Sequence, residues 1–242
     1  TIDEIKDLKG KLPKGTYALT YGNLPWAFMS LLYGAGGTLE NDMDDLTKDV
    51  WRKPMEKLKE AYDAGVVAPM DVDGEQAFGS GKAVFAQLGT WAQGNMSNTL
   101  GADKIAEANT LQYSADNPVN FFYQCNWMQL KDPHRSAAKS AAAADFVKYV
   151  YEHWMDWSEV GSISPAYRDL NNPKYQKLIQ ASFTNSKKER DYIKTSNYLY
   201  GGYATAGWGT YNDIVYGNVG LEEGLKTLDL MAQGQIEIQE ES

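Results

Sequence analysis

Three of the seven tryptophans lie at the ends of predicted strands and loops, where a protein scaffold commonly presents its binding groups. Trp26 follows the first predicted strand, Trp91 follows the next one, and Trp208 comes soon after an aromatic, glycine-rich loop. A flat indole ring stacks well on the apolar C–H face of a sugar. Gly207 and Gly209 flank Trp208, and we expect them to leave room for a ligand or for a close backbone approach. The three rings therefore predict carbohydrate contacts.

The remaining four tryptophans lie within apolar helix or strand patterns, without glycines beside them. A ring in such a pattern is typical of a hydrophobic core. We therefore predict that these four are core residues: Trp51, Trp127, Trp154 and Trp157.

The sequence predicts no catalytic residue. His134 follows a proline at a predicted helix start, His153 lies near a predicted helix end, and neither has a nucleophile motif beside it. The Gly-x-Ser-x-Gly elbow, the phosphate-binding loop and the His-Glu-x-x-His helix are all missing. Glycoside cleavage needs two carboxylates that converge on a cleft, and sequence spacing does not show which acids converge. An acid pair therefore stays open as an alternative.

No metal site or cofactor is predicted either. Residues 42–45 and 71–75 are rich in aspartate, but neither segment continues as a twelve-residue calcium loop with its glycine and terminal glutamate. Both segments are interpreted as solvated loops. The single Cys125 excludes an internal disulfide and a cysteine-based zinc cluster.

The composition is that of an acidic globular protein. A chain of 242 residues with 43% hydrophobic content buries roughly 70% of the surface that its unfolded form exposes. The net charge is −9, and the basic residues do not cluster, so nucleic acid is not an expected partner. The longest apolar runs are far shorter than the about 20 residues that cross a bilayer.

Strands and helices alternate through the first two thirds of the chain, which indicates an α/β architecture. Residues 16–21 read as a short buried strand and residues 83–88 as a second strand, and each leads into a helix, at Pro25 and after Trp91. Three longer elements follow from periodicity: a helix over 46–64 that ends at Gly65, a strand over 119–130, and an alanine-rich helix over 135–153.

The pattern beyond Pro173 changes to helices only. Apolar periodicity predicts them over residues 173–183, 186–194, 207–216 and 220–236. Residues 198–203, Tyr-Leu-Tyr-Gly-Gly-Tyr, form an aromatic loop without periodicity that ends at Tyr203.

The order of several short motifs resembles extracellular solute-binding protein family 1, the maltose-binding-protein-like receptors of ABC sugar importers. The most specific are Phe-Gly-Ser-Gly-Lys-Ala at 78–83 and Gly-Thr-Trp at 89–91. Others are Thr-Ile-Asp-Glu at 1–4, the Pro25-Trp26 helix that ends in Gly-Gly at 36–37, Asp-Pro-His at 132–134 and Ser-Pro-Ala-Tyr at 164–167. The resemblance covers nearly the whole chain.

The resemblance implies a type II periplasmic-binding-protein-like fold with two α/β lobes, which hold the ligand between them. Residues 1–122 and 174–242 would form the second lobe, and residues 123–173 would belong to the first lobe. The chain would then hold mostly the second lobe and part of the first. We expect that a longer protein carries the opening segment of the family, with most strands of the first lobe.

The resemblance also places site residues. Trp26, Trp91 and Trp208 match positions of sugar-stacking rings, with Tyr203 beside them. Asn212, one helical turn after Trp208, and Asn23 match charged ligand contacts of the family and exchange them for amides. An uncharged amide suits a neutral sugar hydroxyl, so a sugar other than a maltodextrin is expected.

By resemblance, the protein would be a non-catalytic extracellular receptor that captures a mono- or oligosaccharide and delivers it to an ABC permease. It would be a cell-surface lipoprotein or a periplasmic protein, joined to the membrane only through a lipid anchor on the missing N-terminal part. Two alternatives remain open. One is a carbohydrate-active enzyme domain, and the other is a receptor for another solute such as a peptide or a polyamine.

Overall fold

A computed structural model describes residues 1–121, 129–161, 167–181, 193–194, 204 and 206–240. The chain divides into two units. The larger unit comprises Thr1–Gly89, Asn109–Phe122 and Asp191–Ser242, and the smaller unit comprises Thr90–Ala108 and Tyr123–Arg190. The assignment of residues to two lobes stays a prediction.

The described helices and strands alternate through much of the chain. The strands are β1 Tyr17–Tyr21, β2 Ala83–Gln87, β3 Asn120–Phe121 and β4 Ile193–Lys194. The helices are α1 Ile2–Lys6, α2 Leu24–Gly34, α3 Asp49–Asp63, α4 Gly74–Gly79, α5 Ala92–Leu100, α6 Ala137–Glu152, α7 Trp154–Gly161, α8 Trp208–Val215 and α9 Leu221–Glu240. No helix in these ranges is long and apolar enough to cross a membrane.

The larger unit contains two parallel strand pairs, β1 with β2 and β3 with β4. In the first pair Tyr17 lies opposite Ala83 and Tyr21 lies opposite Gln87. Parallel strands need a long crossover, which here contains α2, α3 and α4. Both strands end at the same edge of the sheet, so the pairing of β1 with β2 holds in place the residues that follow β1.

Three buried aromatic rings join α2, α3 and α8 in the core of the larger unit. Phe28 stacks on Trp51 at 5.6 Å between ring centroids and meets Tyr211 edge to face at 5.5 Å. All three residues are fully buried. The Trp51 Nε1 group donates to the Asp42 carbonyl oxygen at 2.7 Å, which satisfies the polar atom of this ring. The prediction that Trp51 is a core residue is confirmed.

Helix α9 is fastened to the loop before α3 by its polar side chains. The Leu46 amide donates to Asp229 Oδ1 at 3.0 Å, and Gln233 Nε2 donates to the Met43 carbonyl oxygen at 2.6 Å. Leu225 and Leu228 enter the core from the same helix. These contacts hold α9 on the core, beside α8 and Trp208.

The smaller unit has a small described core of Met155, Tyr175 and Ala181. Helix α6 buries none of its described residues. Trp157 is 45% exposed, so its predicted place in the core is wrong. It instead packs edge to face on Trp154 at 5.4 Å, which leaves much of its ring in solvent. Trp127 lies outside the described residues.

Beyond Pro173 the structure confirms the predicted helices over 207–216 and 220–236 as α8 and α9. Residues 173–181 instead contain two 3₁₀ turns, Tyr175–Lys177 and Ile179–Ala181, in place of a helix. The buried Tyr175 hydroxyl donates to the Gln180 carbonyl oxygen at 3.1 Å, which ties the chain into tight turns. The segment 186–194 lies mostly outside the described residues, but β4 shows that the region is not purely helical. The predicted strand over 119–130 is described only as β3, because residues 122–128 lie outside the described ranges.

Two glycines of α9 provide a matched test of this packing. A Cβ atom on Gly224 would lie 2.6 Å from Ile214 Cδ1 and closer still to its Cγ1, whereas one on Gly234 would meet nothing within 4 Å. Alanine favours a helix interior over glycine by about 1 kcal/mol, and overpacking a core costs about 1 to 3 kcal/mol. We predict that Gly234→Ala raises the free energy of unfolding and that Gly224→Ala lowers it, measured by urea titration. Equal effects of the two substitutions would contradict this packing.

Candidate ligand-binding site

Helix α8 presents three side chains along one face. Trp208, Asn212 and Tyr216 follow each other at intervals of four residues, which places them one above the next on a helix. The opposite face of α8 carries Tyr211 and Ile214, which are fully buried in the core. Core packing on one side of α8 therefore fixes the direction in which Trp208, Asn212 and Tyr216 point on the other side.

The turn after β1 supplies a second wall. Asn23 is the N-cap of α2, and its Oδ1 atom accepts a hydrogen bond from the Trp26 amide at 3.4 Å. Pro25 lies in the first turn, where a missing N–H group costs nothing. A Cβ atom on Gly22 would lie 2.6 Å from Leu88 Cδ2, so only glycine fits this turn against the chain after β2 without a shift.

These two walls enclose a depression of about 120 Å³ in the larger unit. Its lining residues are Tyr21, Gly22, Asn23, Leu24, Met70, Trp208, Asn212 and Tyr216. None of these eight residues carries a charge at neutral pH. Pockets that enclose a small ligand have volumes of roughly 300 to 1,000 Å³, so this depression covers one side of a ligand of that size.

Two of the three tryptophans of the larger unit, Trp26 and Trp208, meet at the depression. The rings of Trp26 and Trp208 have centroids 6.3 Å apart and an angle of 80° between their planes, an edge-to-face pair. Trp208 is 41% exposed and lines the depression, while Trp26 is half-buried against the core. Trp26 therefore braces the Trp208 ring, whose free face is available to a ligand.

The structure thus brings together four of the six predicted site residues: Trp26, Trp208, Asn23 and Asn212. Trp91 belongs to the smaller unit, where it precedes α5 and is 68% exposed. This exposure indicates that Trp91 is a surface residue and not a core residue. Tyr203 lies outside the described residues, so its predicted role stays a prediction.

Five lining residues were not predicted as site residues from the sequence: Tyr21, Gly22, Leu24, Met70 and Tyr216. The spacing from Trp208 to Asn212, extended by one more turn, would have indicated Tyr216. Of the two reasons predicted for Gly207, the structure favours a close approach over room for a ligand, because a Cβ atom there would meet Leu228 Cδ2 at 2.5 Å. Gly207 allows α9 to pack closely, whereas Gly209 has open space around it, as predicted.

Burial raises the pKa of two tyrosines at the depression, Tyr21 and Tyr216. In the smaller unit, burial raises the pKa of Glu107 to about 7. The Glu107 Oε2 atom has no hydrogen-bond partner among the described residues. A raised carboxyl pKa is a property of general acids, so Glu107 bears on the enzyme alternative.

His153 and Asp73 make contacts within the fold. His153 is the C-cap of α6, stacks on Tyr149 at 4.0 Å and lies 2.9 Å from the Tyr149 carbonyl oxygen through Nδ1. His134 is exposed. Asp73 caps α4 by accepting from the Gln76 amide at 2.7 Å. Within the described ranges, no group of three or more His, Cys, Asp or Glu residues could hold a metal ion.

Comparison with known proteins identifies related families and structures. The model of the bacterial extracellular solute-binding protein family matches residues 1–182. No curated protein matches the chain by sequence. Solved structures with a similar fold include the GacH receptor of Streptomyces glaucescens, solved unliganded and with acarbose, at 16% identity and a TM-score of 0.75.

Two further structures show the range of ligands on this fold. MalE from Bdellovibrio bacteriovorus, bound to maltotriose, is 14% identical with a TM-score of 0.72. UgpB from Mycobacterium tuberculosis, in complex with glycerophosphocholine, is 13% identical with a TM-score of 0.71. The three alignments cover 97% to 99% of this chain and 64% to 66% of the other chains.

The two asparagines of the depression differ in what they do for the fold. The Asn23 side chain caps α2, whereas the side-chain amide of Asn212 forms no hydrogen bond with a described residue. We predict that Asn23→Ala lowers the free energy of unfolding by about 1 kcal/mol, and that Asn212→Ala leaves it unchanged or slightly higher. Urea titration of both variants checks this difference. A loss with Asn212→Ala as large as that with Asn23→Ala would show that Asn212 is needed for the fold.

Proposed function

Because this chain belongs to the bacterial extracellular solute-binding protein family, we propose that it acts as a receptor for a neutral carbohydrate. Its fold is that of type II periplasmic-binding proteins, as the sequence predicted. Binding proteins for sugars and for other solutes share this fold. The choice of ligand therefore depends on the residues of the site and not on the fold.

The observation that carries the proposal is the exposed face of Trp208, braced by Trp26 and adjacent to the Asn212 amide. The indole provides a flat apolar surface for the C–H face of a sugar ring. The amide supplies one donor group and one acceptor atom for hydroxyl groups. Met70, also on the depression, adds a polarizable apolar contact. We therefore infer that the sugar lies against Trp208 with its hydroxyl rim toward Asn212 and Asn23.

The absence of charge among the eight lining residues supports a neutral ligand. Other candidate ligands carry charges, among them a polyamine, a free peptide terminus and a phosphodiester. When binding removes such a charge from water, the site must supply an opposite charge or many dipoles. Glycerophosphocholine on the related UgpB fold shows that such ligands occur in this architecture. The described lining of the present depression offers no ionic partner to them.

We propose that the ligand is enclosed by a second wall. The depression covers only one side of a sugar, and the chain spans about two thirds of the length of the solved structures compared above. In this proposal residues 1–122 and 174–242 form one lobe, and residues 123–173 belong to the other. Trp91 and Tyr203 would add further aromatic contacts. A ligand that touches both lobes favours their closed arrangement, because it binds that state more tightly.

We propose that closure of the two lobes is followed by delivery of the sugar to an ABC permease. We also propose that the protein is extracellular, either as a cell-surface lipoprotein or in the periplasm. The closed form presents a surface that the open form lacks, so a permease can distinguish the loaded receptor. In this proposal a lipid anchor is the only link to the membrane.

Glu107 is the observation that favours the carbohydrate-active enzyme alternative, because its pKa of about 7 suits a general acid. Glycoside cleavage also needs a second carboxylate about 5 to 10 Å away. Neither Glu107 nor any other carboxylate lines the depression. The receptor is therefore the better supported function.

The test is a thermal-shift and calorimetric screen with maltotriose, cellotriose and mannotriose, and with spermidine and glycerophosphocholine as charged probes. We expect at least one trisaccharide, and neither charged probe, to bind and raise the melting temperature. Trp208→Ala should weaken that binding about tenfold or more, since it removes the stacking surface.

Phe85→Ala is the matched control, because Phe85 is a 49% exposed aromatic residue of the larger unit that does not line the depression. It should bind the trisaccharide as the wild type does. Binding only of a charged probe, or hydrolysis of a nitrophenyl glycoside that Glu107→Gln abolishes, would contradict the receptor proposal.

A further inference from the structure

Two tyrosines of the larger unit have buried hydroxyl groups in opposite situations. The Tyr211 hydroxyl donates to the Ala204 carbonyl oxygen. The Tyr21 hydroxyl oxygen is sealed from solvent and has no hydrogen-bond partner among the described residues. A buried hydroxyl without a partner lowers stability, because it has lost its water and gained nothing in exchange.

Phenylalanine would avoid this cost at position 21. The Tyr21 ring packs against the hydrophobic core, as a phenylalanine ring would. The backbone is fixed as well, since Tyr21 pairs with Gln87 in the parallel sheet and a Cβ atom on Gly74 would lie 2.9 Å from the Tyr21 carbonyl oxygen. The hydroxyl group is therefore the one part of the residue that the fold does not need. Local violations of this kind concentrate at functional sites.

The position of Tyr21 indicates what that function is. Tyr21 lines the depression together with Trp208, Asn212 and Tyr216. The half-buried Tyr216 ring meets Tyr62 edge to face at 4.9 Å. Burial, and then the nearness of Tyr216, raises the pKa of Tyr21, so its hydroxyl keeps its proton at physiological pH. A neutral phenol both donates and accepts, which matches a sugar hydroxyl.

We propose that the Tyr21 hydroxyl is a specificity-determining group that forms a hydrogen bond with one hydroxyl of the bound saccharide. This proposal rests on the carbohydrate-receptor function argued above. Because the Tyr21 oxygen is sealed in the structure, the bond requires a local rearrangement that opens this hydroxyl group to the depression. The site then discriminates against sugars that lack this hydroxyl, since the phenol would stay buried without a partner.

The experiment compares Tyr21→Phe with Tyr211→Phe, a matched pair that each removes one buried hydroxyl. Calorimetry gives the affinity for maltotriose, cellotriose and mannotriose, and thermal unfolding gives the stability without ligand. Tyr21→Phe should melt at the same or a higher temperature and bind the saccharide about tenfold more weakly. Tyr211→Phe should melt lower and bind as the wild type does.

Monodeoxy derivatives of the trisaccharide that binds each lack one hydroxyl group. If Tyr21 had only a structural role, Tyr21→Phe would not change how the protein discriminates between these derivatives and the parent sugar. The wild type should bind one of them about tenfold more weakly than the parent sugar, while Tyr21→Phe should bind that derivative and the parent equally. Unchanged affinity of Tyr21→Phe, or equal discrimination by both proteins, overturns the Tyr21 proposal and leaves the receptor function standing. If no trisaccharide binds the wild type, both proposals fail.

Discussion

The contact between Phe28 and Tyr211 is the constraint on which the candidate site depends. It locks α2 to α8 in the core, with ring centroids 5.5 Å apart. Trp26 lies two residues before Phe28 and Trp208 lies three residues before Tyr211, so the same packing sets the edge-to-face geometry of the two tryptophans. Paired strands β1 and β2 fix the turn that begins α2. A rigid core thus supports a pair of rings, a condition for precise recognition.

The depression shows a compromise between stability and binding. Its lining holds polar groups that the fold uses only in part, namely the amides of Asn23 and Asn212 and the phenol of Tyr21. Charged groups would bind charged ligands more strongly but would cost more to desolvate. A lining of amides, phenols and an indole is suited to ligands that are apolar on one face and rich in hydroxyl groups at the rim.

Much of the larger unit could be predicted from the sequence because its signals are local. The strands at β1 and β2, the helix that ends at Gly65, and the Asn212 position one turn after Trp208 all follow from periodicity and turn residues. The role of Gly207 and the presence of Tyr21 at the site depend on contacts with residues distant in sequence, such as Leu228. The exposure of Trp157 could not be predicted, because an apolar pattern does not show how much core exists to cover it.

The central claim is that a sugar stacks on the Trp208 ring, and an indole ¹H–¹⁵N spectrum tests it most directly. Each tryptophan gives one Nε1–H signal, assigned by Trp→Phe substitution, and the protein is titrated with the trisaccharide that it binds. The Trp208 and Trp26 signals should shift, while the Trp51 signal, whose Nε1 group is bonded to Asp42 in the core, should stay in place. Saturable binding with an unmoved Trp208 signal would contradict the account.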